Sequence, residues 1–96
     1  MEPTVTNAPD AARYEIRDGD RLLGHADYQR DGSTFVFTHT EVDPAFEGQG
    51  IASTLVQGAL DAVRACGRDV VAFCPYVKAW LGRHPEYQDL VRAPQG

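Results

Sequence analysis

Two Asp-Gly pairs divide the first half of the chain into three short segments, and this spacing constrains the fold more than any other feature. Asp18-Gly19 and Asp31-Gly32 are typical of tight β-hairpin turns, because glycine readily adopts the positive φ that such turns require. Apolar and polar residues alternate before the first turn, as in a half-buried strand. The sequence therefore predicts an antiparallel meander of three strands, over about 12–17, 21–29 and 34–42.

A long amphipathic helix is predicted over about 49–65. Apolar residues recur there at every fourth position, which places them on one face of a helix: Ile51, Leu55, Ala59 and Val63. Gly67 follows as a natural C-terminal stop. A second helix is predicted over about 76–83, after Pro75, because proline is tolerated in the first turn of a helix.

An almost continuous apolar run at 69–74 separates the two helices and is typical of a strand covered on both faces. Because a helix joins this strand to the third one, we expect the two to run parallel. The predicted fold class is α/β (α+β), with a mixed sheet and two main helices. We expect a single domain over 11–92, with a disordered tail at 1–10 and a short tail at 93–96.

Charge and hydropathy argue against several classes of function. A formal net charge of -5 is unsuited to nucleic acid but suits a cationic acceptor. No apolar run approaches the roughly 18 residues of a membrane span, and no export signal is visible at the N-terminus. Neither the two cysteines nor the three histidines have the spacing of metal ligands: Cys66, Cys74, His25, His39 and His84. We expect a metal-free cytoplasmic protein with reduced thiols, either a monomer or a weak homodimer.

The segment between the third strand and the first helix has the composition of an anion-binding turn: Val42-Asp43-Pro44-Ala45-Phe46-Glu47-Gly48-Gln49-Gly50-Ile51-Ala52. The first N–H groups of a helix lack intrahelical partners, and the helix dipole adds partial positive charge there. A diphosphate satisfies both. Glycines at 48 and 50 would let a ligand approach the backbone closely. Two glycines alone are equally compatible with an ordinary flexible loop.

The residues around this turn resemble GNAT-type N-acetyltransferases. In that family the motif Gln/Arg-x-x-Gly-x-Gly/Ala opens a helix, and it corresponds here to Glu47, Gly50 and Ala52. Two later segments are similar to those that close a group of short family members: Phe73-Cys74-Pro75-Tyr76-Val77-Lys78 and His84-Pro85-Glu86-Tyr87. The resemblance covers about 22–91. It implies a trimmed GNAT acyl-CoA N-acyltransferase fold, without the N-terminal elements that usually shape the acceptor site.

The resemblance also implies an acetyl-CoA-dependent N-acetyltransferase whose acceptor is a primary amine, on a small molecule or a peptide. Coenzyme A would be held by residues of the turn and of the two strand ends beside it: Val42, Glu47, Gly48, Gln49, Gly50, Ile51, Ala52, Ser53, Phe73 and Lys78. Glu47 departs from the family pattern, because its carboxylate would repel a diphosphate unless it points to solvent. The alternative is a non-catalytic coenzyme A-binding or protein-interaction module with the same turn.

Four side chains are candidates for proton transfer or nucleophilic attack, since an amine acceptor must lose a proton before it attacks. Cys74 is either an acetyl-carrying nucleophile or a buried structural thiol. His39 is a candidate base toward the amine or Cys74, and Glu41 competes for that role. Strand alternation places both on one face and their threonine neighbours on the other, unless a β-bulge shifts the register. By analogy with GNAT relatives, Tyr76 is a candidate acid toward the departing thiolate, and core packing is its alternative role.

Overall fold

A computed structural model describes residues 2–92 of the chain. Its strands and helices, in chain order, are β1 (Thr4–Ala8), β2 (Arg13–Asp18), β3 (Arg21–Asp31), β4 (Thr34–Val42), α1 (Ile51–Ala65), β5 (Asp69–Ala72) and α2 (Pro75–Arg83). Three 3₁₀ segments connect or follow them: Pro9–Ala11, Pro44–Phe46 and Pro85–Leu90. Neither α1 nor α2, the α-helices within residues 2–92, has the length and hydropathy that a membrane crossing requires.

The five strands form one mixed sheet in the order β1-β2-β3-β4-β5. The pairs β1–β2, β2–β3 and β3–β4 are antiparallel, and β5 runs parallel to β4. The two Asp-Gly turns form as expected, with φ of 59° at Gly19 and 61° at Gly32. The predicted α/β fold class, with a meander, a parallel strand and two helices, is therefore confirmed.

The prediction of a disordered tail over 1–10 is wrong for residues 4–8, which form the edge strand β1. Val5 pairs with Ile16 of β2 and also packs closely against α1, where an added Cβ on Gly58 would lie 2.8 Å from the Val5 side chain. The segment Thr-Val-Thr-Asn-Ala has one large apolar residue and therefore lacks the alternation that marks β2. Backbone pairing with β2 makes it a strand. The predicted tail at 93–96 lies outside the described residues.

Both helices pack on the same face of the sheet. The residues that meet at the centre of this layer are Val56, Ala59 and Leu60 of α1, Val77 of α2, and Ala26 and Phe37 of the sheet. On β3 the residues that face the helices, Leu23, Ala26 and Tyr28, are all buried. Complete burial of one such large apolar side chain stabilises the fold by roughly 1.5–3 kcal/mol. In the part of the chain that the structure describes, no helix covers the opposite face of the sheet, which we call the open face.

A β-bulge at Thr38 changes the register of β4. Phe37 and His39 pair with consecutive residues of β3, which leaves Thr38 without an opposite residue. Phe37 and Thr40 therefore both face the helices, although they are three positions apart. His39 and Glu41 lie on the open face. The bulge thus decides which side chains of β4 can reach a ligand from each side of the sheet.

Candidate active site

The sheet splits where β4 and β5 separate. β5 pairs with β4 only along the first four residues of that strand, from Thr34 to Phe37. The N–H groups of Phe73 and Cys74 then both donate to the carbonyl of Phe37 at 2.9 Å, and the chain enters α2. Within residues 2–92 no strand pairs with the remainder of β4 on that side. The result is a wedge between the end of β4 and the start of α2.

Backbone groups of Thr40 and Val42 line this wedge. The N–H of Asp43 donates to the carbonyl of Leu23 on β3 at 2.8 Å. Backbone groups along an antiparallel strand point alternately to its two sides. Those of Thr40 and Val42 therefore point away from β3 and into the wedge. A ligand that contains amide groups can form hydrogen bonds with these backbone groups, as an additional strand of the sheet would.

The turn before α1 lies at the far end of the wedge. Gly50 is the N-cap residue with φ of 74°, and Gly48 has φ of 82°. An added Cβ on either glycine would meet no atom within 4 Å, so within the described protein it is the positive φ that favours glycine at both positions. Among residues 2–92 no side chain caps the first turn of α1. Its first N–H groups therefore lack a side-chain partner and suit an anion.

The wedge and the turn form one groove of about 350 Å³, within the range of roughly 300–1,000 Å³ that is usual for ligand pockets. Its lining residues are Thr40, Val42, Phe46, Glu47, Gly48, Gly50, Ile51, Ala52, Ser53 and Tyr76. The guanidinium of Arg21 lies 4.6 Å from the centroid of the Phe46 ring. This contact brings a positive charge to the turn end of the groove, opposite in sign to the exposed Glu47.

Most of the predicted cofactor-binding residues line the groove, and three do not. Gln49 lies within the turn but is exposed. The Phe73 side chain is 72% exposed, and Lys78 is an exposed residue of α2 outside the groove lining. Two lining residues were not predicted. Thr40 reaches the groove only because of the bulge, whereas Phe46 was identifiable as a large aromatic residue in a loop of small and polar ones.

Cys74 lies at the base of the wedge and is 3% exposed. Its sulfur is 3.3 Å from the hydroxyl oxygen of Thr40. Cys74 is also the N-cap residue of α2. His39 was a candidate base toward Cys74, but the structure places these two side chains on opposite sides of the sheet. Tyr76, the candidate acid, lies in the first turn of α2 and lines the groove.

His39 and Glu41 belong to a polar cluster on the open face. One oxygen of the Glu41 carboxylate lies 3.3 Å from His25 Nε2 and 3.9 Å from His39 Nε2. His25 Nδ1 lies 2.7 Å from Asp27 Oδ1. Sequence reasoning missed the link to His25, which depends on the pairing of His25 with Glu41 across β3 and β4. A group that approaches the wedge from this side meets two carboxylates and two imidazoles.

This open-face cluster does not have the geometry of a metal site, and the same holds for every other group of histidine, cysteine and acidic residues in the described part of the chain. Its contacts instead join neighbouring strands. The arrangement suits proton transfer and the attraction of a cation.

The sequence matches the GCN5-related N-acetyl-transferase family over residues 13–90. The fold is similar to the NMR solution structure of a GCN5-like protein from Staphylococcus aureus, with a TM-score of 0.71 and 21% identity, over 96% of this chain and 90% of the other. It is also similar to a ribosomal-protein-alanine N-acetyltransferase from Brucella melitensis biovar Abortus 2308, with a TM-score of 0.55 and 18% identity.

The second similarity covers 88% of this chain and 63% of the longer Brucella protein. No curated protein matches the sequence. At these identities the two solved structures show the fold alone, and the family match over residues 13–90 shows the family. The chain belongs to the GCN5-related N-acetyltransferase (GNAT) family of acetyltransferase enzymes.

Proposed function

We propose that this protein is an N-acetyltransferase that uses acetyl-CoA and acetylates a primary amine. The observation that carries the proposal is the groove. In it, the edge of β4 that pairs with no strand of residues 2–92 leads to the N-terminus of α1, which no described side chain caps. A ligand that fits both parts needs an arm with amide groups and a diphosphate at its end. Coenzyme A has this composition.

The diphosphate end of the ligand would lie at the turn before α1. The backbone N–H groups of residues 48–53 supply hydrogen bonds, and the helix dipole favours negative charge there. Arg21, which stacks on Phe46, adds a cation at the same end. Glu47 opposes the charge of the ligand, and its exposure allows the carboxylate to turn toward solvent. Binding would therefore depend mainly on backbone donors, which is consistent with a chain of net charge -5.

The pantetheine arm would lie along the wedge, where Thr40 and Val42 offer backbone groups to its amides. When bound, acetyl-CoA supplies an activated acetyl thioester. The end of an arm in this position would lie close to Cys74 and Tyr76, at the junction of β5 and α2. Tyr76 is suited to donate a proton at this end, because it lies in the groove lining.

The open face would receive the amine. A primary amine of the lysine type has a pKa of about 10.4 and arrives as an ammonium ion. Asp27 and Glu41 attract that cation, and Glu41 or His39 would take its proton before attack. Direct transfer to the amine is favoured over an acetylated Cys74. Its thiol is buried beside the Thr40 hydroxyl, and His39 faces the other side of the sheet.

Binding and transfer are tested separately. In a ¹H–¹⁵N NMR titration with coenzyme A, we expect the amide signals of Gly48, Gly50 and Ile51 to shift. If none of the three moves, the proposed binding site is wrong. Release of free coenzyme A from acetyl-CoA, measured with a panel of primary amines, then tests the enzyme. Binding without transfer to any amine would favour the non-catalytic module.

The base is tested by Glu41→Gln and His39→Asn. Loss of a general base lowers kcat by about 10²–10⁴-fold and should leave the affinity for coenzyme A unchanged. Glu86→Gln, the same change of charge at an exposed position away from the groove, is the matched control. If neither variant lowers kcat relative to Glu86→Gln, the open face does not supply the base.

A further inference from the structure

A hydrogen bond joins the middle of α2 to the first turn of α1. The indole N–H of Trp80 donates to the hydroxyl oxygen of Ser53 at 2.9 Å. Trp80 is 0% exposed and lies outside the groove, whereas Ser53 is one of the residues that line it. The bond to Ser53 therefore gives the buried indole a direct link to a residue that lines the groove.

The direction of this hydrogen bond restricts what Ser53 can do. An indole N–H is only a donor, so the hydroxyl oxygen of Ser53 must accept it. The Ser53 proton must then be donated elsewhere. The neighbouring Thr54 donates its hydroxyl proton to the Gly50 carbonyl at 3.0 Å, and within the described residues Ser53 makes no equivalent bond. The proton of Ser53 is left available to a ligand at the turn.

The segment 84–87, which the sequence singled out beside the second helix, holds the indole in place. The His84 ring stacks on it with centroids 3.7 Å apart, and His84 Nδ1 lies 2.8 Å from the Trp80 carbonyl oxygen. The Tyr87 ring lies at 66° to the indole plane, with ring centroids 5.0 Å apart. Tyr87 in turn donates its hydroxyl proton to Asp61 of α1 at 2.6 Å. The indole is therefore held by Ser53 of α1 on one side and by His84 and Tyr87, which follow α2, on the other.

We propose that Trp80 is a positioning residue that sets the Ser53 hydroxyl as a hydrogen-bond donor to the diphosphate of coenzyme A, with His84 and Tyr87 holding the indole. This inference rests on the proposed function of the groove. It gives His84 and Tyr87 an indirect role in ligand binding, although both lie outside the groove lining.

A binding experiment that needs no catalysis tests it. Trp80 is the single tryptophan of the chain, so its indole N–H gives one NMR signal of known origin. We expect this signal to shift when coenzyme A is added and to stay in place with pantetheine, which lacks the diphosphate. In Ser53→Ala the shift of the indole signal with coenzyme A should be lost.

Affinities of two variants and their combination provide the second readout. Trp80→Phe retains an aromatic ring but removes the N–H, and Ser53→Ala removes the hydroxyl. Each should weaken coenzyme A binding by about three- to tenfold, as expected for the loss of one hydrogen bond, without changing pantetheine binding. The double variant should bind no more weakly than Ser53→Ala alone, because both changes act on the same hydroxyl.

The possible outcomes separate this inference from the proposed function. If coenzyme A shifts the amide signals of Gly48 and Gly50 but not the indole signal, the groove is confirmed and the role of Trp80 is wrong. Equal losses from Trp80→Phe in the wild-type and Ser53→Ala backgrounds would also overturn that role. If neither the amides nor the indole respond, the proposed function fails and the inference fails with it. If Trp80→Phe does not fold, the indole NMR titrations of the wild type and of Ser53→Ala still test the role of Trp80.

Discussion

The hydroxyl oxygen of Thr40 lies 3.3 Å from the sulfur of Cys74, across the base of the wedge between β4 and α2. The bulge at Thr38 makes this contact possible, because it turns Thr40 toward the helices. Cys74 is consequently enclosed at the point where the sheet splits, with 3% of its surface exposed. The other cysteine, Cys66, is exposed after the end of α1.

The two thiols are expected to react at clearly different rates with a chromogenic aromatic disulfide. Cys66 should give the fast phase and Cys74 a slow one, because a thiol must be accessible to react. The absorbance of the released thiolate measures both phases, and Cys66→Ser should abolish only the fast one. A single fast phase from both thiols would contradict the burial of Cys74.

Glycine at position 50 is expected to matter for both stability and binding. Gly50→Ala forces a side chain into the left-handed region, at a cost of about 1–2 kcal/mol in the free energy of unfolding. It should also weaken coenzyme A binding about tenfold, or about 1.4 kcal/mol, because the strained N-cap disturbs the backbone donors of the turn. Urea denaturation and a coenzyme A titration measure the two effects.

Gly32→Ala is the matched control for this prediction. Gly32 has φ of 61°, an added Cβ would likewise meet no atom within 4 Å, and its hairpin turn lies outside the groove lining. It should lose similar stability without losing affinity for coenzyme A. Equal affinity losses in the two variants would show that the turn before α1 has no special role.

Removal of the Glu47 charge is expected to strengthen coenzyme A binding. Two charges 4 Å apart in water interact by about 1 kcal/mol, so Glu47→Gln should improve the affinity roughly fivefold at low salt. Most of the gain should disappear in about 1 M salt, where the screening length is about 3 Å. Glu86→Gln, which changes the net charge equally, should have a much smaller effect in the same titration. Unchanged affinity in Glu47→Gln would place its carboxylate away from the ligand.

Glu15 is expected to make stability depend on pH in the acid range. A hydrogen bond from Arg13 at 2.9 Å, with a further one from Arg17 at 3.0 Å, holds the pKa of Glu15 below its usual range. A lowered folded-state pKa stabilises the protein above the unfolded-state pKa, and this contribution is lost as the pH falls through the folded-state value. Glu15→Gln should therefore cost about 1 kcal/mol of unfolding free energy at pH 7, given that both arginines are partly exposed.

Urea denaturation of Glu15→Gln and wild type across this pH range measures the difference. The two stabilities should converge in acid, once Glu15 is protonated in the folded wild type. Glu86→Gln should track the wild type throughout. A constant difference between Glu15→Gln and wild type at every pH would show that packing, and not charge, explains the loss.

The central part of the fold and most of the groove were predictable because their signals are local. Gly19 and Gly32, which adopt positive φ, mark the hairpin turns, and the four-residue apolar repeat marks α1. Both signals are independent of the rest of the chain. The turn before α1 was predictable for the same reason, since helix termini and glycines determine where backbone donors are available. β1 was missed because its five residues form a strand only through their pairing with β2.

The sequence by itself determined the order of the elements from β2 to α2, the family resemblance and the position of the glycine-containing turn before α1, because each depends on neighbouring residues in the chain. Only the tertiary structure decided which side chains share a site. The bulge at Thr38 arises from the pairing of β3 with β4, and it turns Thr40 toward Cys74 while leaving His39 on the open face. The bond from Trp80 to Ser53 likewise joins residues 27 positions apart. Such contacts depend on how strands and helices pack together, which no local pattern specifies.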